Sequence, residues 1–204
     1  MPSGRDAGRG ATRPLRHVES PLPAVFDADS RVLVLGSLPS PLSRERGYHY
    51  GNPQNRFWRV LSALWDEEPP NSVEGRRDLL RRHRLALHDV LASCDIAGAS
   101  DSSIANPVPN DLGPILRAAP ICRVFCTGST AARLYRRHVE PVLGVPCVAL
   151  PSTSPANARW RLDDLVRAYA VVREARPACP GTRWAGSGPA PGFFAPSLPD
   201  VGTL

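Results

Sequence analysis

The chain has 204 residues, which is enough for one domain with a proper core and modest tails, but not for a second large domain. Its net charge is +6 and it contains no lysine, so lysine Schiff-base chemistry is excluded and an anionic partner, foremost nucleic acid, is favoured. The five cysteines form no CxxC pair, and no apolar stretch is long enough to span a membrane. We therefore expect no zinc site, no membrane association and a cytoplasmic location.

The first half of the chain predicts an arm, a buried strand and two helices. Residues 1–20 lack apolar periodicity and carry scattered arginines, which is typical of a flexible basic N-terminal arm. The run VLVLG at 32–36 predicts a buried parallel strand. An Asn-Pro signal opens a predicted helix over 53–64, and a second amphipathic helix, rich in arginine, is predicted over 72–84.

The second half alternates strands with helices. Strands are predicted at 85–91, 121–126 and 145–150, and helices at 110–118, 127–138 and 161–173. Residues 176–204 are dense in Pro and Gly and predict a C-terminal tail, which leaves residues 21–175 as the folded domain. This alternation predicts a single-domain, three-layer α/β/α fold with a central, mostly parallel sheet.

Two unusual loops follow the first and last predicted strands, at 37–52 and 151–159. In a parallel α/β sheet the carboxyl ends of the strands carry the functional loops, so these two should open on the same edge. Neither contains a GxGxxG motif, a P-loop, a Ser-His-Asp arrangement or paired carboxylates. Both offer backbone NH groups, neutral amides and hydroxyls, and the first adds aromatic rings, a combination suited to holding a flat heterocycle.

Four motifs, taken in order, resemble the uracil-DNA glycosylase superfamily and, more narrowly, its hypoxanthine-DNA (deoxyinosine) glycosylase branch. They are GSLPS at 36–40, YGNPQNRFW at 50–58, DSSIANPVPNDL at 101–112 and LPSTSPAN at 150–157. The resemblance covers roughly residues 28–172. It implies hydrolysis of the N-glycosidic bond of a deaminated base that has been flipped out of the DNA stack.

The resemblance also implies a base-binding group and a catalytic residue. Tyr50 falls where the superfamily has its stacking aromatic, and the base-binding group comprises Gly36, Ser37, Leu38, Pro39, Tyr50 and Phe57. Leu38 and Leu150 stand where better-known relatives carry a water-positioning Asp or Asn and a His or Asn that stabilises the departing base. Asn55 is then the candidate catalytic residue, with its amide orienting the attacking water.

The second loop corresponds to the DNA-penetrating loop of the superfamily. The implied DNA-binding residues are Ser40, Ser152, Thr153, Ser154, Asn157 and Arg159. The loop lacks the Leu often used as a wedge, so Pro155, Ala156 or Arg159 would have to replace it, and Arg159 could equally bind a phosphate. The leaving base could be stabilised by backbone NH groups of 36–40 or by the hydroxyls of 152–154.

Several further expectations follow. Without lysine we expect a monofunctional enzyme that leaves an intact abasic site and uses no cofactor, and no cysteine precedes Cys94 to hold an iron–sulfur cluster.

His49 is a candidate general acid or a solvent-facing loop residue. The arginines at 76–84 form a phosphate track or a solvated face. Asp111 is expected to brace its loop, and Asn106 and Asn110 either brace or contact a base. A monomer acting on damaged DNA is expected.

Three alternatives stay open at this stage. A glycosylase for uracil or other damaged bases would use the same neutral amides. A non-catalytic nucleic-acid-binding module would explain Leu38 and Leu150, because stacking aromatics and arginines serve binding as well. A small-nucleotide enzyme on a Rossmann-like sheet is disfavoured, since no phosphate-cradling glycine loop follows the first strand.

Overall fold

The computed structural model describes residues 14–98 and 101–175 of the chain. The strands are β1 (Arg16–Glu19), β2 (Val32–Gly36), β3 (Leu85–Asp89), β4 (Leu91–Ile96), β5 (Ala105–Pro109), β6 (Arg123–Thr127) and β7 (Cys147–Leu150). The α-helices are α1 (Pro41–Glu45), α2 (Phe57–Ala63), α3 (Val73–Arg82), α4 (Gly113–Ala118), α5 (Ser129–His138), α6 (Glu140–Leu143) and α7 (Leu162–Glu174). A short 3₁₀ helix covers Asp101–Ser103.

A parallel four-stranded sheet in the order β3-β2-β6-β7 forms the centre of the protein. Strand β2 lies inside it, and all five of its residues are buried, as expected for an apolar run covered on both faces. Its register pairs Gly36 with Asp89 of β3, and Leu35 with Cys126 of β6. All four strands therefore end at the same edge, where the loops of the predicted site begin.

Two hydrophobic cores lie on opposite faces of this sheet. Alternate residues of β2 point to the two sides: Leu33 and Leu35 pack towards α4 and α5, whereas Val32 and Val34 pack towards α2, α3 and α7. This alternation is the period-2 geometry of a strand. The predicted three-layer α/β/α architecture is thereby confirmed.

A second, antiparallel sheet in the order β1-β4-β5 was not predicted. Its strand β1 lies within the predicted arm, where Arg16–Glu19 pairs with Ser93–Ile96 of β4. Three of the four residues of β1 are exposed, so the sequence carries no apolar pattern there, and the pairing partner lies far along the chain. Residues 1–13 of the predicted arm and 176–204 of the predicted tail lie outside the described residues.

Two local differences lie in the first predicted loop and helix. Residues 41–45 form α1, which the side chain of Ser40 caps by accepting from the Ser43 N–H. Helix α2 begins at Phe57 rather than at Pro53, because the Asn55 side chain accepts from the Phe57 N–H and so occupies the helix entrance. Asn55 therefore precedes the helix. Within the described part of the chain, no helix has the length and apolarity needed to cross a bilayer.

Candidate active site

A cavity of about 460 Å³ opens at the carboxyl edge of the parallel sheet. Eleven of the sequence-predicted site residues line it, namely Gly36, Ser37, Leu38, Pro39, Ser40, Tyr50, Asn55, Ser152, Thr153, Ser154 and Asn157. The two predicted loops thus meet in space as expected. Phe57 and Arg159 do not line the cavity.

Tyr50 and Phe57 form a stacked pair at this edge. Their ring centroids are 3.7 Å apart with an interplanar angle of 9°, and Phe57 is fully buried beneath Tyr50. Phe57 therefore supports the aromatic residue that lines the cavity, rather than contacting a ligand itself. Such stacking fixes a ring in one orientation and adds to its burial energy.

Two further restraints act on Tyr50. Its hydroxyl lies 2.7 Å from Oγ1 of Thr127, and because the Thr127 hydroxyl donates to the Leu35 carbonyl, Tyr50 is the donor of this pair. Burial raises the pKa of Tyr50 well above its ordinary value, so the phenol stays neutral. Its φ of 53° lies in the left-handed region, which a bulky residue adopts only when its surroundings impose it.

The side-chain oxygen of Asn55 already accepts two hydrogen bonds. The Phe57 N–H donates to Oδ1 at 3.0 Å, and the Thr153 hydroxyl donates to the same atom at 2.8 Å. An amide oxygen has two lone pairs, so this acceptor is saturated. The N–H groups of Nδ2 donate to no described residue. In this cavity-lining side chain they are therefore the polar groups left for a ligand. Asn55 therefore offers donors to a ligand, and its oxygen is not a free acceptor.

Arg56 joins the two loops, a role that sequence reasoning missed. Its guanidinium donates to three backbone carbonyls of the second loop and to the carbonyl of Trp160 directly after it; the three are those of Thr153, Ser154 and Asn157. Its backbone N–H also donates to the Thr153 carbonyl, at 3.1 Å. The planar fork of five donors makes arginine suited to such a cluster of carbonyls. The position next to Asn55 in the NPQNR run was the available signal.

Within the second loop, neutral side chains brace the backbone. Asn157 Nδ2 donates to the Ser152 carbonyl at 2.8 Å, and the Ser154 N–H donates to Oγ of Ser152. Arg159 is exposed and borders a separate surface hollow with Trp160, Asp164 and Arg167. It is therefore available to a phosphate outside the cavity, but not to a base within it.

Buried charges lie at the inner end of the cavity. His49 and Asp89 are each 4% exposed, and Nδ1 of His49 lies 2.9 Å from Oδ2 of Asp89. Nε2 of His49 lies 3.0 Å from the Pro23 carbonyl, which can only accept, so Nε2 carries a proton. Burial lowers the pKa of His49, but the hydrogen bond and charge of Asp89 and the Pro23 carbonyl outweigh it, and the net pKa is raised. His49 is thus neither solvent-facing nor free to act as a general acid.

His88 adds a third ligand-type side chain to this pair. Potential ligand atoms of His49, His88 and Asp89 all lie within 4.8 Å of one another, which is close enough to consider a metal ion. Both ring nitrogens of His49 already have partners, however, since Nδ1 pairs with Asp89 and Nε2 with the Pro23 carbonyl. Burial lowers the pKa of His88 to about 4, so this ring is neutral. The arrangement fits an imidazolium–carboxylate pair better than a metal centre.

Asp101 brings a second carboxyl group to the cavity. Ser37 donates to its Oδ2 at 2.7 Å, which links the first loop to the DSSIANPVPNDL segment. Burial raises the pKa of Asp101, and the charge of Asp89 adds to this rise. A pair of carboxylates was not predicted within either loop, because Asp89 is the last residue of β3 and Asp101 lies before β5.

The other polar residues of that segment brace it. Asp111 accepts from the Gly113 N–H at the start of α4, as expected. Asn110 donates to the backbone carbonyl of Asp89 at 2.9 Å, and Asn106 donates to Asp95 at 2.7 Å. Of the two leucines at the usual catalytic positions, Leu38 lines the cavity and Leu150 is buried in the core. Neither can act on water or on a base.

Comparisons with known proteins agree with this geometry. Residues 23–174 match the family described as the uracil DNA glycosylase superfamily. A hypoxanthine DNA glycosylase of Methanosarcina acetivorans is 34% identical over 142 residues, which is 68% of this chain and 87% of that protein. One of Methanosarcina barkeri is 30% identical over 141 residues, or 67% and 87% of the two chains.

A solved structure supports the same assignment. The solution NMR structure of a proposed uracil DNA glycosylase from Methanosarcina acetivorans matches with a TM-score of 0.66 at 30% identity, covering 77% of this chain and 98% of that one. The resemblance found in the four sequence motifs is therefore confirmed. The chain belongs to the uracil DNA glycosylase superfamily.

Proposed function

We propose that this protein is a DNA glycosylase that removes hypoxanthine from deoxyinosine in DNA and leaves an intact abasic site. The observation that carries the proposal is the Tyr50–Phe57 stack, which supports an aromatic ring in a polar cavity between two loops. Two relatives at 30% identity or more are described as hypoxanthine DNA glycosylases, which favours this base. Stacking of a flipped base on Tyr50 would offset the cost of unpairing it.

The reaction breaks the bond between C1′ of the sugar and N9 of the purine. The bonding electrons leave with the base, a water adds its oxygen to C1′, and the proton that this water loses balances the one that the purine anion takes up to become neutral hypoxanthine. Asn55 is the proposed catalytic residue, acting through its Nδ2 donors on the negative charge of the departing purine. Backbone NH groups of 36–40 and the hydroxyls of Ser152 and Ser154 line the same cavity and could add to this stabilisation.

The DNA would lie across the rim of the cavity. Ser40, Ser152, Thr153, Ser154 and Asn157 line it, and exposed Arg159 lies beyond it, where it could bind a phosphate. We infer that residues 21–175 form the glycosylase domain, which accords with the family match over 23–174. We further propose that the protein acts as a monomer in the cytoplasm, without a cofactor.

Release of free base from matched duplexes carrying deoxyinosine or deoxyuridine, followed by alkaline strand cleavage, tests this proposal. We expect hypoxanthine release by the unaltered protein, a loss of about 100-fold or more in Asn55→Ala, and no strand cleavage before alkali. Uracil release alone would move the assignment to the activity suggested by the description of the solved relative. Tight binding without release of either base would leave a binding module instead.

A further inference from the structure

Asp89 is held rigidly at the inner end of the cavity. The register places it directly beside Gly36 at the ends of β3 and β2. Its Oδ2 pairs with His49, and its backbone carbonyl accepts from Asn110. A buried carboxylate is tolerated when it is paired in this way. The side chain is therefore fixed before any ligand enters.

The second oxygen of Asp89 remains available to a ligand. Oδ1 accepts no hydrogen bond from residues 14–98 or 101–175, and Asp89 lines the cavity. A Cβ atom placed on Gly36 would lie 2.4 Å from Oδ1 and 3.3 Å from the Tyr50 hydroxyl. The carboxylate oxygen and the hydroxyl end of the Tyr50 ring therefore converge over Gly36, and a base stacked on Tyr50 would turn one edge towards Oδ1.

Deamination changes what such an edge presents. In adenine N1 is a bare acceptor, whereas in hypoxanthine N1 carries a hydrogen and the neighbouring position is a carbonyl. An ionised carboxylate can only accept, so it attracts the N1–H of hypoxanthine and repels the lone pair of adenine N1. A site built to bind a particular N–H rejects an analogue that lacks it much more strongly than an apolar pocket does.

We propose that Asp89, positioned by His49, recognises the deaminated base by accepting a hydrogen bond from its ring N–H. This inference rests on the proposed glycosylase function and adds to it the residue that distinguishes the deaminated base from adenine. His49 acts through Asp89 and does not touch the base. The same acceptor would bind N3–H of uracil, so exclusion of pyrimidines falls to the size of the cavity.

Binding of uncleavable DNA measures this contact without catalysis. A 2′-fluorine disfavours the oxocarbenium-like sugar, so duplexes carrying 2′-fluorinated deoxyinosine stay intact, and the matched duplex carries 2′-fluorinated deoxynebularine, in which N1 has no hydrogen. We expect the unaltered protein to prefer the inosine duplex by about 10-fold or more, and Asp89→Asn to reduce this preference to less than about threefold. His49→Gln should reduce it in the same direction.

The control is Asp78→Asn, which removes an equal charge at an exposed position on α3, where Asp78 pairs only with Arg81 among the described residues. It should keep the full preference. An undiminished preference in folded Asp89→Asn, or none in the unaltered protein, would overturn the inference.

Two further measurements cover the remaining outcomes. Should Asp89→Asn fail to fold, the unaltered protein is tested with a 2′-fluorinated duplex that carries N1-methylhypoxanthine. An affinity about 10-fold or more below that for the 2′-fluorinated inosine duplex supports the contact, and equal affinity contradicts it. Release of hypoxanthine from ordinary deoxyinosine DNA is measured in parallel. Absence of hypoxanthine release by the unaltered protein would contradict the proposed function itself. Release by the unaltered protein, with an unchanged preference for the inosine duplex in Asp89→Asn, would contradict only the role of Asp89.

Discussion

The hydroxyl of Thr153 donates a hydrogen bond to Oδ1 of Asn55 at 2.8 Å, so a side chain of the second loop occupies the acceptor of the candidate catalytic amide. This contact changes what Asn55 can do chemically. With the Phe57 N–H on the same oxygen, only the Nδ2 donors face a ligand. The relationship separates two mechanisms that the sequence alone does not distinguish.

Substitutions at Asn55 test which atom acts. Asn55→Asp keeps the oxygens and removes the donors, so we expect it to lose hypoxanthine release about as severely as Asn55→Ala, by about 100-fold or more in kcat/KM. Thr153→Val frees a lone pair on Oδ1 and should lower the rate much less. Single-turnover release from deoxyinosine duplexes measures all three. Retention of activity in Asn55→Asp would restore the water-orienting role of the oxygen.

Arg56 should be a positioning residue for the second loop. Arg56→Gln leaves three loop carbonyls and that of Trp160 with fewer donors, and we expect the free energy of unfolding to fall by about 1–3 kcal/mol. Affinity for deoxyinosine duplex should fall about 10-fold or more, because the loop loses its fixed conformation. Arg56→Lys should recover part of both losses. Denaturant unfolding and fluorescence anisotropy provide the two measurements.

The control for Arg56 is Arg59→Gln, an exposed arginine of α2 that removes the same charge a few residues away. It should change the free energy of unfolding by no more than about 0.5 kcal/mol. An equal loss of DNA affinity in both variants would mean that Arg56 acts by charge alone and not through the loop.

Gly36 should tolerate no side chain. Gly36→Ala would place a Cβ atom 2.4 Å from Oδ1 of Asp89, which must then move away from its position. We expect a loss of about 1–3 kcal/mol in the free energy of unfolding together with a large loss of base release. Gly75→Ala in α3, where the nearest atom would be 3.1 Å away, is the matched control and should remain active. Thermal melts and base release of the two variants would show equal behaviour if the Asp89 contact were unimportant.

Two of the buried histidines, His49 and His88, should give opposite pH dependences of stability. The pKa of His49 is raised in the folded protein above its ordinary value of 6.5, so its contribution is complete below pH 6.5 and is lost as the pH rises through the folded-state pKa. We expect the free energy of unfolding to decline on the alkaline side, and His49→Gln to flatten that decline. Denaturant titrations across a pH series measure it.

For His88 the sign is reversed. Burial lowers its pKa from 6.5 to about 4, so its contribution is present above pH 6.5 and is lost as the pH falls towards 4. His88→Gln should therefore flatten the acid side of the curve between these values and leave the alkaline side unchanged. Identical slopes in the two variants would contradict the assignment of charge to His49 and neutrality to His88.

The sequence by itself determined the layered fold and eleven of the residues that line the cavity. The spacing of apolar residues and the positions of the loops were enough to predict the parallel sheet, because a buried strand such as VLVLG and the amphipathic helices beside it are local sequence patterns. The four motifs placed Tyr50, Asn55 and the second loop at one edge, since parallel strands end together. The small antiparallel sheet escaped prediction because β1 is short, mostly exposed and paired with a distant strand.

Only the tertiary structure decided how the side chains of the cavity act. The side-chain oxygen of Asn55 accepts from Thr153, and Phe57 stacks beneath Tyr50. Arg56 connects the first loop to the second by hydrogen bonds. His49 and Asp89 lie 40 residues apart in the sequence, and no local pattern pairs them. The physical reason is that hydrogen-bond partners and burial determine the charge of a polar group and which of its donors and acceptors stay unused. Partners and burial both depend on contacts between distant segments.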